Sequence, residues 1–178
     1  MKKTITFLLP LLLLLLLSAQ GIGLAQTYKK VAPSTDSRQL RTDLALHGAR
    51  YAETAGNEII MTDRLADIPC RLAFPKRIDD RGAYIDVILP ERQSWTELIS
   101  DFSALERHLT KTHGEPTTRR RLFTNAPYRR ITNNVEELLG GFLYYDDTWE
   151  FPKGRITLTL WPDTDTALVR NKIIYEIF

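Results

Sequence analysis

Three histidines, one cysteine and a few paired acids are what this 178-residue chain offers for chemistry. The histidines are His47, His108 and His113, and none sits in a His-Glu-x-x-His pattern. His108 and His113 are five residues apart, about 500° of helical rotation, so one helix face does not carry both. His113 closes a helical pattern, where an imidazolium complements the negative end of the helix dipole. Neither a Gly-x-Ser-x-Gly elbow nor a glycine-rich loop after a strand is present. The acids pair at Asp79-Asp80, Asp146-Asp147 and Asp163-x-Asp165. The last lacks the third ligand, glycine and terminal glutamate of a calcium loop and reads as a turn. Asp146 and Asp147 are adjacent in a strand pattern and point to opposite faces, which turns Asp147 toward the apolar side. There it needs a partner, and a nearby arginine is expected in preference to an acid–base role. The spacing therefore predicts no catalytic residue, no metal ligand set and no cofactor.

Arg119, Arg120, Arg121, Arg129 and Arg130, interleaved with Phe123 and Tyr128, raise a different chemistry, the gripping of anions. Charge bookkeeping weakens it. The chain has 24 Lys and Arg, Lys2 and Lys3 lie in an N-terminal leader, and the remaining 22 equal the 22 Asp and Glu. From Leu105 to Arg130 there are seven basic and two acidic residues, and from Ile131 to Phe178 four and eight. Segregated charge of this kind most often joins two parts of one fold. The arginines are expected in a long loop that docks on the acidic C-terminal third. Acidic glycan or lipid head groups are the alternative ligands, and nucleic acid is not expected of a neutral, exported chain.

Export is read from Met1-Lys2-Lys3, the apolar run from Phe7 to Leu17 and the small residues at Gly23-Leu24-Ala25, the layout of a secretory signal peptide. An uncleaved anchor is the competing reading, since no charge falls between Thr4 and Ala25, but the dense apolar core is about half of the roughly 20 residues that a span needs. Cleavage after Ala25, or earlier after Ala19, leaves a periplasmic or extracellular protein without a stable membrane span. Residues 26–35 read as a flexible polar leader and 36–178 as one domain, about the size that buries an adequate core without disulfides. Cys70 is the sole cysteine and alternates with Leu72 and Phe74, so it is expected to be buried.

The elements that must position these residues follow from periodicity. Asp36 to His47 makes a short helix with Asp36 as N-cap. Ser94-Trp95-Thr96-Glu97 is a capping box, and Trp95, Leu98, Ile99, Phe102, Leu105 and Leu109 behind it form the stripe of a long amphipathic helix over about 94–113, ended by Gly114 and Pro116. Strands are predicted at 58–62, 70–74 and 83–89, the last closed by Pro90, and a C-terminal three-stranded meander at 142–151, 155–161 and 167–178. A helical turn is expected at 134–139, because the gap from Gly114 to Phe142 exceeds an ordinary loop. The fold class is α+β: an antiparallel sheet of about five or six strands with the long helix on one face. Period two places Tyr144, Thr157, Thr159 and Trp161 together on the solvent face, an aromatic and hydroxyl platform.

The run from Trp95 through His113-Gly114-Glu115-Pro116, with Trp149, Gly154-Arg155-Ile156-Thr157-Leu158 and Val169 to Tyr175, is similar to small exported bacterial domains with a β-lactamase-inhibitor-like arrangement of helix on antiparallel sheet. His113 stands where that pattern usually has Tyr. The resemblance implies architecture and export. The functional expectation is a non-enzymatic binding module that recognises a protein in the envelope or outside the cell through Tyr144, Thr157, Thr159 and Trp161. Anion binding through the arginines is the alternative, and a hydrolase-type enzyme with an unrecognised site is the third.

Overall fold

A computed structural model describes residues 26–77, 80–123, 134–140, 143–163 and 168–178. Residues 1–25, where the sequence predicts a signal peptide, and Ile78-Asp79, Arg129 and Arg130, and Thr164-Asp165 lie outside the described residues.

The chain order is α1 (Ser37–Leu46), β1 (Arg50–Ala55), β2 (Glu58–Leu65), β3 (Ile68–Pro75), β4 (Ala83–Arg92), α2 (Trp95–His113), β5 (Thr118–Phe123), α3 (Asn134–Leu139), β6 (Leu143–Phe151), β7 (Gly154–Asp163) and β8 (Leu168–Ile177). All eight strands form one antiparallel sheet in the order β1-β2-β3-β4-β8-β7-β6-β5. The fold is α+β as expected, with eight strands where the periodicity predicts five or six, and with three helices among the described residues: the long one, and the short helix and helical turn expected at 36–47 and 134–139. Each half is a helix followed by four sequentially paired strands, with α3 inserted between β5 and β6 in the second, and the last strands of the halves meet, β4 against β8.

The long helix forms as its sequence dictates. Ser94 Oγ accepts from the Glu97 amide at 3.2 Å, and Leu98, Phe102, Leu105 and Leu109 are buried. The second half of the capping box differs, because the Glu97 carboxylate accepts from the Ser94 hydroxyl at 2.7 Å rather than from a backbone amide. Each buried leucine or phenylalanine contributes about 2 kcal/mol of apolar burial. One polar residue joins this interface: Asn171, fully buried on β8, donates through Nδ2 to the Leu98 carbonyl at 3.1 Å. The short helix is capped as predicted by Asp36, whose carboxylate accepts from the amides of Arg38 and Gln39 at 3.0 and 3.1 Å. Its buried residues are Leu40 and Leu44, while His47 is exposed.

Three local expectations are corrected. The arginines at 119–121 sit in edge strand β5, paired with β6 from Thr118↔Thr148 to Phe123↔Leu143, and not in a loop. The strand signal is hidden because ion pairs replace the apolar alternation. Residues 26–31 of the polar leader are docked: Tyr28 is fully buried, Val31 nearly so, and the two exchange backbone hydrogen bonds across a turn in which Lys29 and Lys30 have φ of 47° and 72°. Strand β4 also continues past Pro90 to Arg92 by shifting register against β8 between Ile88 and Glu91. A bulge accommodates a residue that has no amide to donate.

Cys70 is buried as expected, with Sγ 3.9 Å from Tyr28 Oη, and burial pushes its thiol up to about 11. No helix among the described residues is long and apolar enough to cross a membrane.

Candidate functional site: an aromatic cleft between β6 and β7

Strands β6 and β7 are paired from Phe151↔Gly154 to Asp146↔Thr159, and the ladder stops there. Continuing that register would set Tyr144 against Trp161 and Leu143 against Pro162. Pro162 has no N–H to donate and two large rings face each other, so the strands part. Strand β7 remains paired with β8 as far as Asp163↔Leu168, which keeps its open end rigid.

The gap is a cavity of about 300 Å³ lined by Arg120, Leu138, Leu143, Tyr144, Tyr145, Asp146, Thr159, Leu160, Trp161 and Pro162. Leu138, Leu143 and Leu160 are buried and form an apolar floor, with Leu138 supplied by α3. Tyr144 and Trp161, 43% and 46% exposed, are two of the few large apolar side chains open to solvent. Of the four residues expected to share the solvent face, Tyr144, Thr159 and Trp161 line the cleft. Thr157 lies two residues further along β7 in the closed ladder, opposite Thr148.

Each ring is backed by a cation. The Arg120 guanidinium lies 4.9 Å from the Tyr144 ring centre, and Lys172 Nζ 4.6 Å from that of Trp161. Such contacts contribute about 0.5–1 kcal/mol each at exposed sites and orient the rings. The cations are themselves neutralised. Arg120 pairs with Asp146 at 2.7 Å, and Lys172 with the buried Asp86 at 2.8 Å, which also holds Arg81 at 2.9 Å. Arg155 pairs with Glu176 at 2.6 Å further along the same face. The wall of the cleft is therefore aromatic and close to electrically neutral.

The other described arginines of the anion alternative are also engaged by carboxylates. Arg119 contacts Glu106 at 3.2 Å and Glu115 at 2.7 Å. Arg121 turns under the sheet, packs 3.8 Å from the Tyr145 ring centre and 4.9 Å from that of Phe102, and reaches Asp147 Oδ1 at 2.8 Å. The arginine expected for the inward-facing Asp147 is thus Arg121.

Among the described residues no group of three or more His, Cys, Asp and Glu could hold a metal ion. His113 packs its ring edge-on to Phe151 at 6.1 Å, and His47 Nδ1 donates to the Asp43 carbonyl at 2.9 Å. Sequence reasoning places the aromatics on one face but misses the cleft and Asp86. Pro162, two residues after Leu160 on β7, is the one signal from which the ladder break could be read. Compared with family models, curated proteins and solved structures, the chain matches none.

Proposed function

We propose that the protein is an exported, non-enzymatic binding module that recognises a protein partner through the cleft between β6 and β7. The observation that carries this reading is the pair of exposed rings, Tyr144 and Trp161, at the mouth of a cavity whose floor is apolar. Interfaces concentrate their affinity in aromatic anchors and the pockets between them. A cavity of about 300 Å³ accommodates one large apolar side chain of a partner. Thr159 and the polar edge formed by Arg120 and Asp146 supply hydrogen-bonding groups for the partner's backbone on either side of that anchor. Neutralised charge favours a segment that is apolar at its centre over an acidic ligand. Export to the periplasm or beyond, and the likeness to small exported helix-on-sheet domains, belong to the same reading.

The test is capture from envelope extract by the immobilised protein, with bound proteins identified by mass spectrometry and their affinities then measured with purified material. The reading expects one partner whose binding weakens by at least about tenfold in Trp161→Ala and in Tyr144→Ala. Equal affinity of wild type and both variants for every captured protein overturns it.

A further inference from the structure

A second opening in the sheet, remote in sequence from the first, has a different lining. Strands β3 and β4 share only three paired positions, Arg71↔Ile88, Leu72↔Val87 and Ala73↔Asp86. Continuing their register would set Pro69 against Pro90, two residues that cannot donate to a ladder. The strands part at that point and leave a slot of about 360 Å³. Its apolar surface comes from Pro69, Cys70, Ile88, Leu89 and Pro90, with Cys70 and Leu89 belonging to the hydrophobic core and Ile88 to the solvent face. The slot thus passes from one face of the sheet toward the other.

Each polar side chain on its rim makes at least one hydrogen bond or ion pair. Thr62 Oγ1 donates to the Arg50 carbonyl at 3.4 Å, and Arg71 pairs with Glu53 at 3.2 Å. Glu91 pairs with Arg170. Asp63 accepts from Tyr28 Oη at 2.7 Å, from Lys29 Nζ at 2.8 Å and from the Arg64 amide at 2.7 Å. A charged ligand would have to displace one of these pairs, and a strongly hydrogen-bonding one would find its groups unmet in an apolar slot. We propose that the slot between β3 and β4 is a binding site for a small, neutral, apolar molecule of up to about three fused rings, a size consistent with ligand cavities of about 300–1,000 Å³. This site is separate from the cleft between β6 and β7 and stands whether or not that cleft binds a protein.

The probe is 1-aminoanthracene, an uncharged fluorophore that brightens in apolar surroundings. With the purified exported form, the expected result is saturable binding at one molecule per chain. Filling the slot from its solvent side with Ile88→Trp is expected to weaken the probe at least about tenfold, a loss of about 1.4 kcal/mol. Thr62→Trp fills the same space from β2 and replaces the first variant if circular dichroism shows that Ile88→Trp does not fold. Trp161→Ala is expected to leave probe binding unchanged. Absence of saturable binding overturns the proposal, as does binding that survives the filling variant or is lost in Trp161→Ala.

Discussion

Arg121, on the outermost strand, reaches under the sheet to place Nη1 2.8 Å from Oδ1 of Asp147, a carboxylate with no solvent exposure. The contact is an ion pair by distance, and neither carboxylate oxygen has a hydrogen-bond partner among the described residues. Burial raises the Asp147 pKa above its ordinary 3.8, and the Arg121 contact offsets this only in part. The folded state therefore binds the proton more tightly than the unfolded chain does. This contribution to stability is fully present below 3.8 and is lost as the pH rises through the higher folded value. Asp147→Asn should remove that decline. Urea unfolding of wild type and variant at a series of pH values from about 3 to 7 measures it, and parallel pH profiles would rule it out.

Asp63 carries the opposite sign. Burial raises its pKa, but hydrogen bonds from Lys29, Tyr28 and the Arg64 amide more than offset this and hold the carboxyl below 3.8. Its contribution is present above 3.8 and is lost as the pH falls through the lower folded value. Tyr28→Phe keeps the ring, which packs edge-on to Tyr175 at 5.8 Å, and deletes the hydroxyl. A hydrogen bond to a charged acceptor contributes about 1.5–3 kcal/mol, so the variant should lose about that much at neutral pH and less in acid. Equilibrium unfolding at neutral pH and in acid distinguishes this from a simple packing defect, which would cost the same in both.

How the leader docks bears on what a sequence can disclose. Tyr28 and Val31 are two apolar residues in a polar run, and they become core only because Lys29 and Lys30 turn the chain through positive φ, a conformation that lysine side chains seldom take. No local pattern announces that. Strand β1 is equally silent, since all six of its residues are exposed and alternation needs a buried face. Strand β5 hides its inward side behind Arg119 and Arg121. The long helix is legible for the converse reason: a cap, a stripe and a terminator agree along its 19 residues, and the most deeply buried positions of that stripe are all apolar. The aromatic platform is legible as a face by period two. Its cavity is not, because it depends on where a ladder between two strands ends.

Trp149 fastens the end of the long helix to the sheet. Its indole Nε1 donates to the Gly114 carbonyl at 2.8 Å, just beyond the last helical turn, where carbonyls have no intrahelical partner. Trp149→Phe removes the donor and part of a buried ring. A lost hydrogen bond of about 1 kcal/mol and a modest cavity together predict a loss of about 2–3 kcal/mol in chemical denaturation. A change below about 0.5 kcal/mol would mean that the contact does not hold the helix end.

Gly154 begins β7 where no side chain fits. A Cβ built there would lie 2.0 Å from the Glu176 carbonyl oxygen and 2.9 Å from Gln26 Nε2. The first contact is with the backbone of the neighbouring strand, which cannot move without breaking the β7–β8 ladder. Gly154→Ala should destabilise by about 3 kcal/mol or more, whereas Gly56→Ala, at a position with open space around it, should cost less. Thermal midpoints of the two variants compare them directly.

The neutrality of the solvent face separates the two binding readings by their response to salt. Arg120 is held by Asp146 at 2.7 Å and stacked on Tyr144, and Arg119 by Glu106 and Glu115. Gripping an acidic glycan or lipid head group would require Arg119 and Arg120 to exchange a carboxylate for the ligand's anionic group, with little net gain in a solvated setting. Recognition through Tyr144 and Trp161 instead removes apolar surface from water, and that driving force does not fall with ionic strength. Partner affinity is therefore expected to change by less than about threefold between about 50 and 500 mM NaCl, and to fall at least about tenfold in Trp161→Ala at both salt concentrations. Retention on anionic vesicles or an acidic glycan matrix that collapses over the same salt range and is unaffected by Trp161→Ala would move the site from the cleft to the arginines.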